Sequence, residues 1–168
     1  MISGLLGLDN IAVAFALGPL QIGPRRALLL GLWFGIAEAA MTLLGSVLGA
    51  AWLPAAMATE MTRAGVLATL AAAVLGLAWI RRQPAAFVAS PWALMGLALL
   101  LGIDNLIAGA APDVAALPPA AIVAAGALTG ALAAAACAAG SAVFRPAPRW
   151  GAVASSVMLL GLAVAGIV

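Results

Sequence analysis

The sequence predicts an all-α membrane protein: six transmembrane helices in two inverted three-helix repeats. Three observations lead there. The 168-residue chain is 67% hydrophobic and 7% charged, with a mean hydropathy of +1.25, whereas a soluble domain carries roughly a quarter charged residues. Six apolar runs approach or exceed the roughly 20 helical residues that a bilayer core requires. Finally, Leu5-Leu6-Gly7-Leu8-Asp9-Asn10-Ile11 returns past the middle as Leu100-Leu101-Gly102-Ile103-Asp104-Asn105-Leu106.

The first span covers 1–18. Its start lacks the basic stretch of a signal peptide, and Asp9 would interrupt an apolar signal core, so the segment is expected to be retained. A break at 19–26 carries Arg25 and Arg26. The second span covers 27–52, where Gly31, Gly35, Glu38, Thr42, Gly45 and Gly49 recur at steps of four and three and so share one helical face. A break at 53–63 holds Glu60 and Arg63, and the third span, 64–80, closes the first repeat at 1–80.

The second repeat, 92–168, follows the break that holds Arg81 and Arg82. Its first span, 92–111, contains Asp104 and Asn105, and the break at 112–118 contains Asp113. The fifth span is 119–143. Adding 91 to the second-span face gives Ile122, Gly126, Thr129, Ala133, Ala136 and Gly140, which aligns Glu38 with Thr129. After Arg145 and Arg149 the sixth span occupies 150–168, and its Leu160-Gly161-Leu162-Ala163 matches Leu75-Gly76-Leu77-Ala78 of the third. Short connections leave a single transmembrane domain over 1–168. Small residues let membrane helices approach closely; such faces serve packing, and would also let spans two and five slide or rock.

The arginines set the expected orientation. They fall mainly in the first, third and fifth loops, and Arg63 in the second loop is offset by Glu60. The positive-inside rule makes those odd loops cytoplasmic and both termini extracytoplasmic, in a multi-pass protein of the cell membrane. Three spans per half then give the second half the opposite sense, so the repeat is inverted.

A pI near 10.1 comes from only seven arginines against five acids, scattered between apolar runs; nucleic acid is not an expected partner. Cys137 stands alone in an Ala-rich run, which excludes disulfide pairing within the chain and points to a small packing residue. An intramembrane enzyme would want a nucleophile–base pair or a histidine cluster, and the chain has no histidine. No enzymatic activity is expected.

Asp9, Glu38 and Asp104 are the acids within spans, while every arginine lies between spans. A charge at the centre of a membrane helix costs about 2.5–3.5 kcal/mol on insertion scales. Such acids are either protonated and hydrogen-bonded across helices, or they bind a cation or face a water-filled cavity. Asn10 and Asn105 contact a substrate, orient an Asp, or pack helices. Thr129 belongs to the site or bonds back to its own helix. Carboxylate, carboxamide and hydroxyl oxygens without histidine suit hard divalent cations. That makes Asp9, Glu38 and Asp104 the candidate metal ligands, with Asn10, Asn105 and Thr129 completing the candidate ion site. Carboxylates that exchange a cation for protons offer a simple antiport chemistry.

The first-span Gly7-Leu8-Asp9-Asn10-Ile11-Ala12-Val13-Ala14 resembles the manganese efflux pumps of the lysine-exporter superfamily. So do Gly31-Leu32-Trp33-Phe34-Gly35-Ile36-Ala37-Glu38-Ala39-Ala40-Met41-Thr42-Leu43-Leu44-Gly45 and Gly102-Ile103-Asp104-Asn105. The resemblance covers essentially the whole chain. It implies Mn²⁺ export across the plasma membrane, with Asp9, Glu38 and Asp104 at the matching acidic positions. That family usually has Asp-Ala where this chain has Asp-Asn, and Gly-Ile-Asp-Asn is closer to the tellurium-resistance-associated membrane proteins of the same superfamily. The alternative is a tellurium-resistance-type membrane protein or an exporter of a small cationic solute such as an amino acid, in the same superfamily, and a structural subunit is a further one. The expected partners are the metal ion, as cargo, and the lipid bilayer; no resident cofactor is expected.

Overall fold

The computed structural model describes residues 8–20, 22–48 and 90–145, together with 150, 153–154, 156–158 and 160–161. The third span, the 53–63 and 81–82 segments and much of the sixth span lie outside the described residues. So do the side chains of Asp9 and Asp104. All regular structure among the described residues is helical: α1 (Leu8–Leu17), a short 3-10 turn (Gly18–Leu20), α2 (Pro24–Leu48), α3 (Pro91–Leu101), α4 (Ile103–Gly109), α5 (Pro112–Ala115) and α6 (Pro119–Phe144). Two of them, α2 and α6, are long and apolar enough to cross a membrane.

The first turn of α2 begins earlier than the expected start at residue 27, and the reason is local. Gly23 has φ +77°, a left-handed conformation that glycine adopts without steric cost. Pro24 follows with φ already set for a helix, and the Ala27 N–H donates to the Gly23 carbonyl at 3.0 Å. Arg25 and Arg26 therefore stand exposed on the first turn of α2 rather than in a loop. Gly23→Ala is expected to lower stability by about 1–2 kcal/mol, because a Cβ is disfavoured in the left-handed region. Gly96→Ala, mid-helix with nothing among the described residues within 4 Å of the added methyl, should be neutral or stabilising. Thermal unfolding in detergent separates the two.

The fourth span is not the single run expected over 92–111. Gly102 divides α3 from α4 with φ −76° and ψ −6°, flatter in ψ than a regular helix. Bonding continues across it: the Gly102 N–H donates to Ala98 O at 2.9 Å and the Leu106 N–H to Gly102 O at 3.1 Å. A glycine holds a helical turn less firmly than alanine by about 1 kcal/mol, so the axis can deviate there. Asp104 and Asn105 thus lie in the first turn of α4. The expected loop after it contains the short helix α5, with Asp113 exposed in its first turn. The fifth span matches α6 to within a residue.

The helices pack around a central pair. The most extensive contact joins α2 to α6; α1 lies on α6, and α3 and α4 lie on α2. Elements from the two halves of the sequence are therefore interleaved. Val13, Leu17, Leu30, Phe34, Leu94 and Ala133 belong to one buried apolar cluster, which also includes Cys137 as a free thiol. The backbones of α2 and α6 meet at Gly35 and Gly126. A Cβ on Gly35 would lie 2.6 Å from the Gly126 carbonyl oxygen, and a Cβ on Gly126 would lie 2.6 Å from that of Gly35. Gly31 and Gly130 meet in the same reciprocal way, and α2 and α4 come together where Gly109 lies on the Thr42 carbonyl and Gly45 on the Leu106 carbonyl. The glycine faces are packing faces.

Candidate ion site between the helices

Glu38 sits near the middle of α2, one turn from the Gly35–Gly126 approach. It is 5% exposed, between Asn10 at 2% and Thr129 at 0%. Both carboxylate oxygens accept hydrogen bonds. The Asn10 Nδ2–H donates to Oε2 at 3.3 Å and the Thr129 Oγ1–H donates to Oε1 at 2.9 Å. Three helices thus meet on one carboxyl group: α1 supplies Asn10, α2 supplies Glu38 and α6 supplies Thr129. The two positions that the offset of 91 aligns, Glu38 and Thr129, touch each other. Thr129 therefore spends its hydroxyl proton across the helix interface.

Where a glycine-lined crossing brings backbones together, side chains one turn away come within hydrogen-bond reach. Glu38 lies three residues after Gly35, and Thr129 three after Gly126, on the faces turned toward the crossing. Asn10 reaches the same carboxyl from α1. Asn105 is buried on α4, at 6% exposed. Asp9 and Asp104 lie in the helical backbones of α1 and α4, each one residue before a buried Asn; whether their carboxylates approach Glu38 lies outside the described residues.

An ionised acid at the centre of a membrane helix costs about 2.5–3.5 kcal/mol; protonation or a bound cation would remove that cost.

Some buried polar groups were not singled out from the sequence. The Ser141 Oγ–H donates to the Gly18 carbonyl at 2.9 Å and ties the end of α6 to the 3-10 turn. Ser156 is 6% exposed. Among the described residues the Trp33 indole N–H is buried without an acceptor. The only available signal was a polar atom inside an apolar run, which says nothing about direction.

The outer faces are apolar. On α2, Leu28, Leu32, Ile36, Leu44 and Val47 are exposed, the last at 81%; on α6, Val123, Leu128, Leu132 and Val143 are exposed. Polar atoms lie within and hydrocarbon without, an arrangement suited to an apolar surrounding.

No family model matches the chain, and neither the curated proteins nor the solved structures give a match.

Proposed function

We propose that this protein is a multi-pass cell-membrane exporter of a divalent cation, Mn²⁺ before others, working by proton exchange through intramembrane carboxylates. The observation that carries the reading is Glu38: a carboxyl group buried at the contact of three helices, two of them long and apolar enough to span a bilayer, with every arginine of the chain outside the apolar runs. Asp9 and Asp104, each beside a buried Asn, complete the proposed set of acidic ligands; Asn10 and Asn105 line it, and Thr129 bonds Glu38 from α6. Oxygen donors of this kind match hard divalent cations. The sequence resemblance to manganese efflux pumps points the same way.

Six spans in two inverted halves, with both termini extracytoplasmic, are part of the proposal. It is supported by the arginine distribution and by the interleaving of the two halves about α2 and α6. Trp92 and Trp150, each following an arginine-bearing segment, are 74% and 67% exposed, as residues of an interfacial aromatic belt would be.

The test is transport by purified protein in proteoliposomes under an imposed pH gradient, with Mn²⁺, Mg²⁺, Ca²⁺ and lysine offered separately. The proposal expects Mn²⁺ flux that depends on the gradient. Lysine flux without metal flux would favour the organic-cation alternative.

A further inference from the structure

We infer that Thr129 is a positioning residue for Glu38: it fixes the orientation of the carboxyl group from the opposite helix and does not itself touch the cargo. The inference rests on the proposed role of Glu38 and specifies how the site is held.

The geometry is directional. A glutamate has three side-chain torsions, and on a single helix its carboxyl group would sample several orientations, each at little cost. Here both oxygens are claimed. Asn10 holds Oε2 from α1 at 3.3 Å, and Thr129 holds Oε1 from α6 at 2.9 Å. Two donors on two helices define the plane of the group. The shorter bond comes from the more rigid partner: Thr129 is β-branched, fully buried, and mounted beside Gly130, whose backbone is pressed against Gly31 and Gly35 of α2. Its hydroxyl thus reaches Glu38 from a helix whose backbone is set by the α2–α6 crossing. Groups that orient an ion-binding side chain without touching the ion typically contribute 10- to 100-fold in affinity.

The assignment separates Thr129 from a cargo ligand. A ligand matters only when the cation is present. A positioning residue holds Glu38 in the empty protein too.

The chain has two glutamates, Glu38 and Glu60, so carboxyl-labelled glutamate in an E60Q background gives an infrared signal from Glu38 alone. Three proteins are compared in that background: Thr129, T129V, which keeps the shape but loses the hydroxyl, and T129S, which restores it. In the absence of any divalent cation, T129V is expected to shift the labelled Glu38 carboxyl bands, and T129S to return them toward the parent. In proteoliposomes, T129V should raise the apparent KM for Mn²⁺ by about tenfold or more, leave the maximal rate within about twofold, and T129S should recover the parent KM. Unchanged Glu38 bands in metal-free T129V overturn the inference. A T129S protein that behaves like T129V overturns it as well, since shape rather than the hydroxyl would then matter. The infrared readout needs no transport, so absent Mn²⁺ flux in the parent protein would count against the exporter reading and leave this test standing.

Discussion

Glu38→Gln is expected to reduce cation export by at least about 100-fold while the protein still inserts and folds. Gln keeps the length of the side chain and one acceptor oxygen. That oxygen can take the Asn10 Nδ2–H, and the new amide N–H can be accepted by the Thr129 hydroxyl, which is both donor and acceptor. The contacts among α1, α2 and α6 therefore survive in outline, and stability should change by no more than about 1–2 kcal/mol. What disappears is the capacity to carry a negative charge or exchange a proton. Asp9→Asn and Asp104→Asn are expected to act alike, with membrane insertion slightly improved because a neutral amide replaces an acid. Glu60→Gln and Asp113→Asn, outside the proposed site, are the controls and should export normally. Vesicle flux, normalised to the amount of inserted protein, measures all five. Export by Glu38→Gln at the parent rate would mean that the carboxyl group serves packing only.

The second large effect concerns the fold. Gly35→Leu should prevent α2 and α6 from closing. The first added carbon would stand 2.6 Å from the Gly126 carbonyl oxygen, and that atom belongs to helix backbone that cannot swing aside. Overpacking a core costs about 1–3 kcal/mol when side chains can adjust; a clash against backbone lies at or beyond the upper end. Gly126→Leu should be equally damaging for the reciprocal reason. Gly96→Leu, where nothing among the described residues lies within 4 Å of the new Cβ, is the matched control. The expected result is a much lower unfolding temperature and reduced yield for the first two and near-parent behaviour for the third. If Gly35→Leu unfolds at the parent temperature, the α2–α6 crossing described above is wrong.

The legible parts of the structure and the illegible ones differ for physical reasons. The residues facing the α2–α6 crossing could be read because a helical face repeats at steps of three and four, and Gly35, Glu38, Gly126 and Thr129 stand on that period. Aligning Glu38 with Thr129 came from the offset alone, and the two side chains do share a hydrogen bond. The bounds of α6 were legible because Pro118 and Pro119 mark its start and the apolar run its length. The break at Gly102 was not legible. It is one of 19 glycines in the chain, and whether a glycine packs a helix or interrupts it depends on neighbours far away in sequence. The early start of α2 was missed because the two arginines look like loop residues, whereas the Gly23-Pro24 pair decides the helix start. Asn10 was recognised as polar, but nothing local indicated that it would bond Glu38 of another helix.

The central claim is that cation and proton movements are coupled through the Glu38 carboxyl group. The most direct measurement records Mn²⁺ flux and internal pH together in the same proteoliposomes, for the parent protein and for Glu38→Gln. The account predicts that an outward-directed Mn²⁺ flux is accompanied by proton movement in the opposite direction in the parent, and that both fall to the empty-vesicle level in Glu38→Gln. Mn²⁺ flux with no proton movement, or both movements persisting in Glu38→Gln, would contradict it.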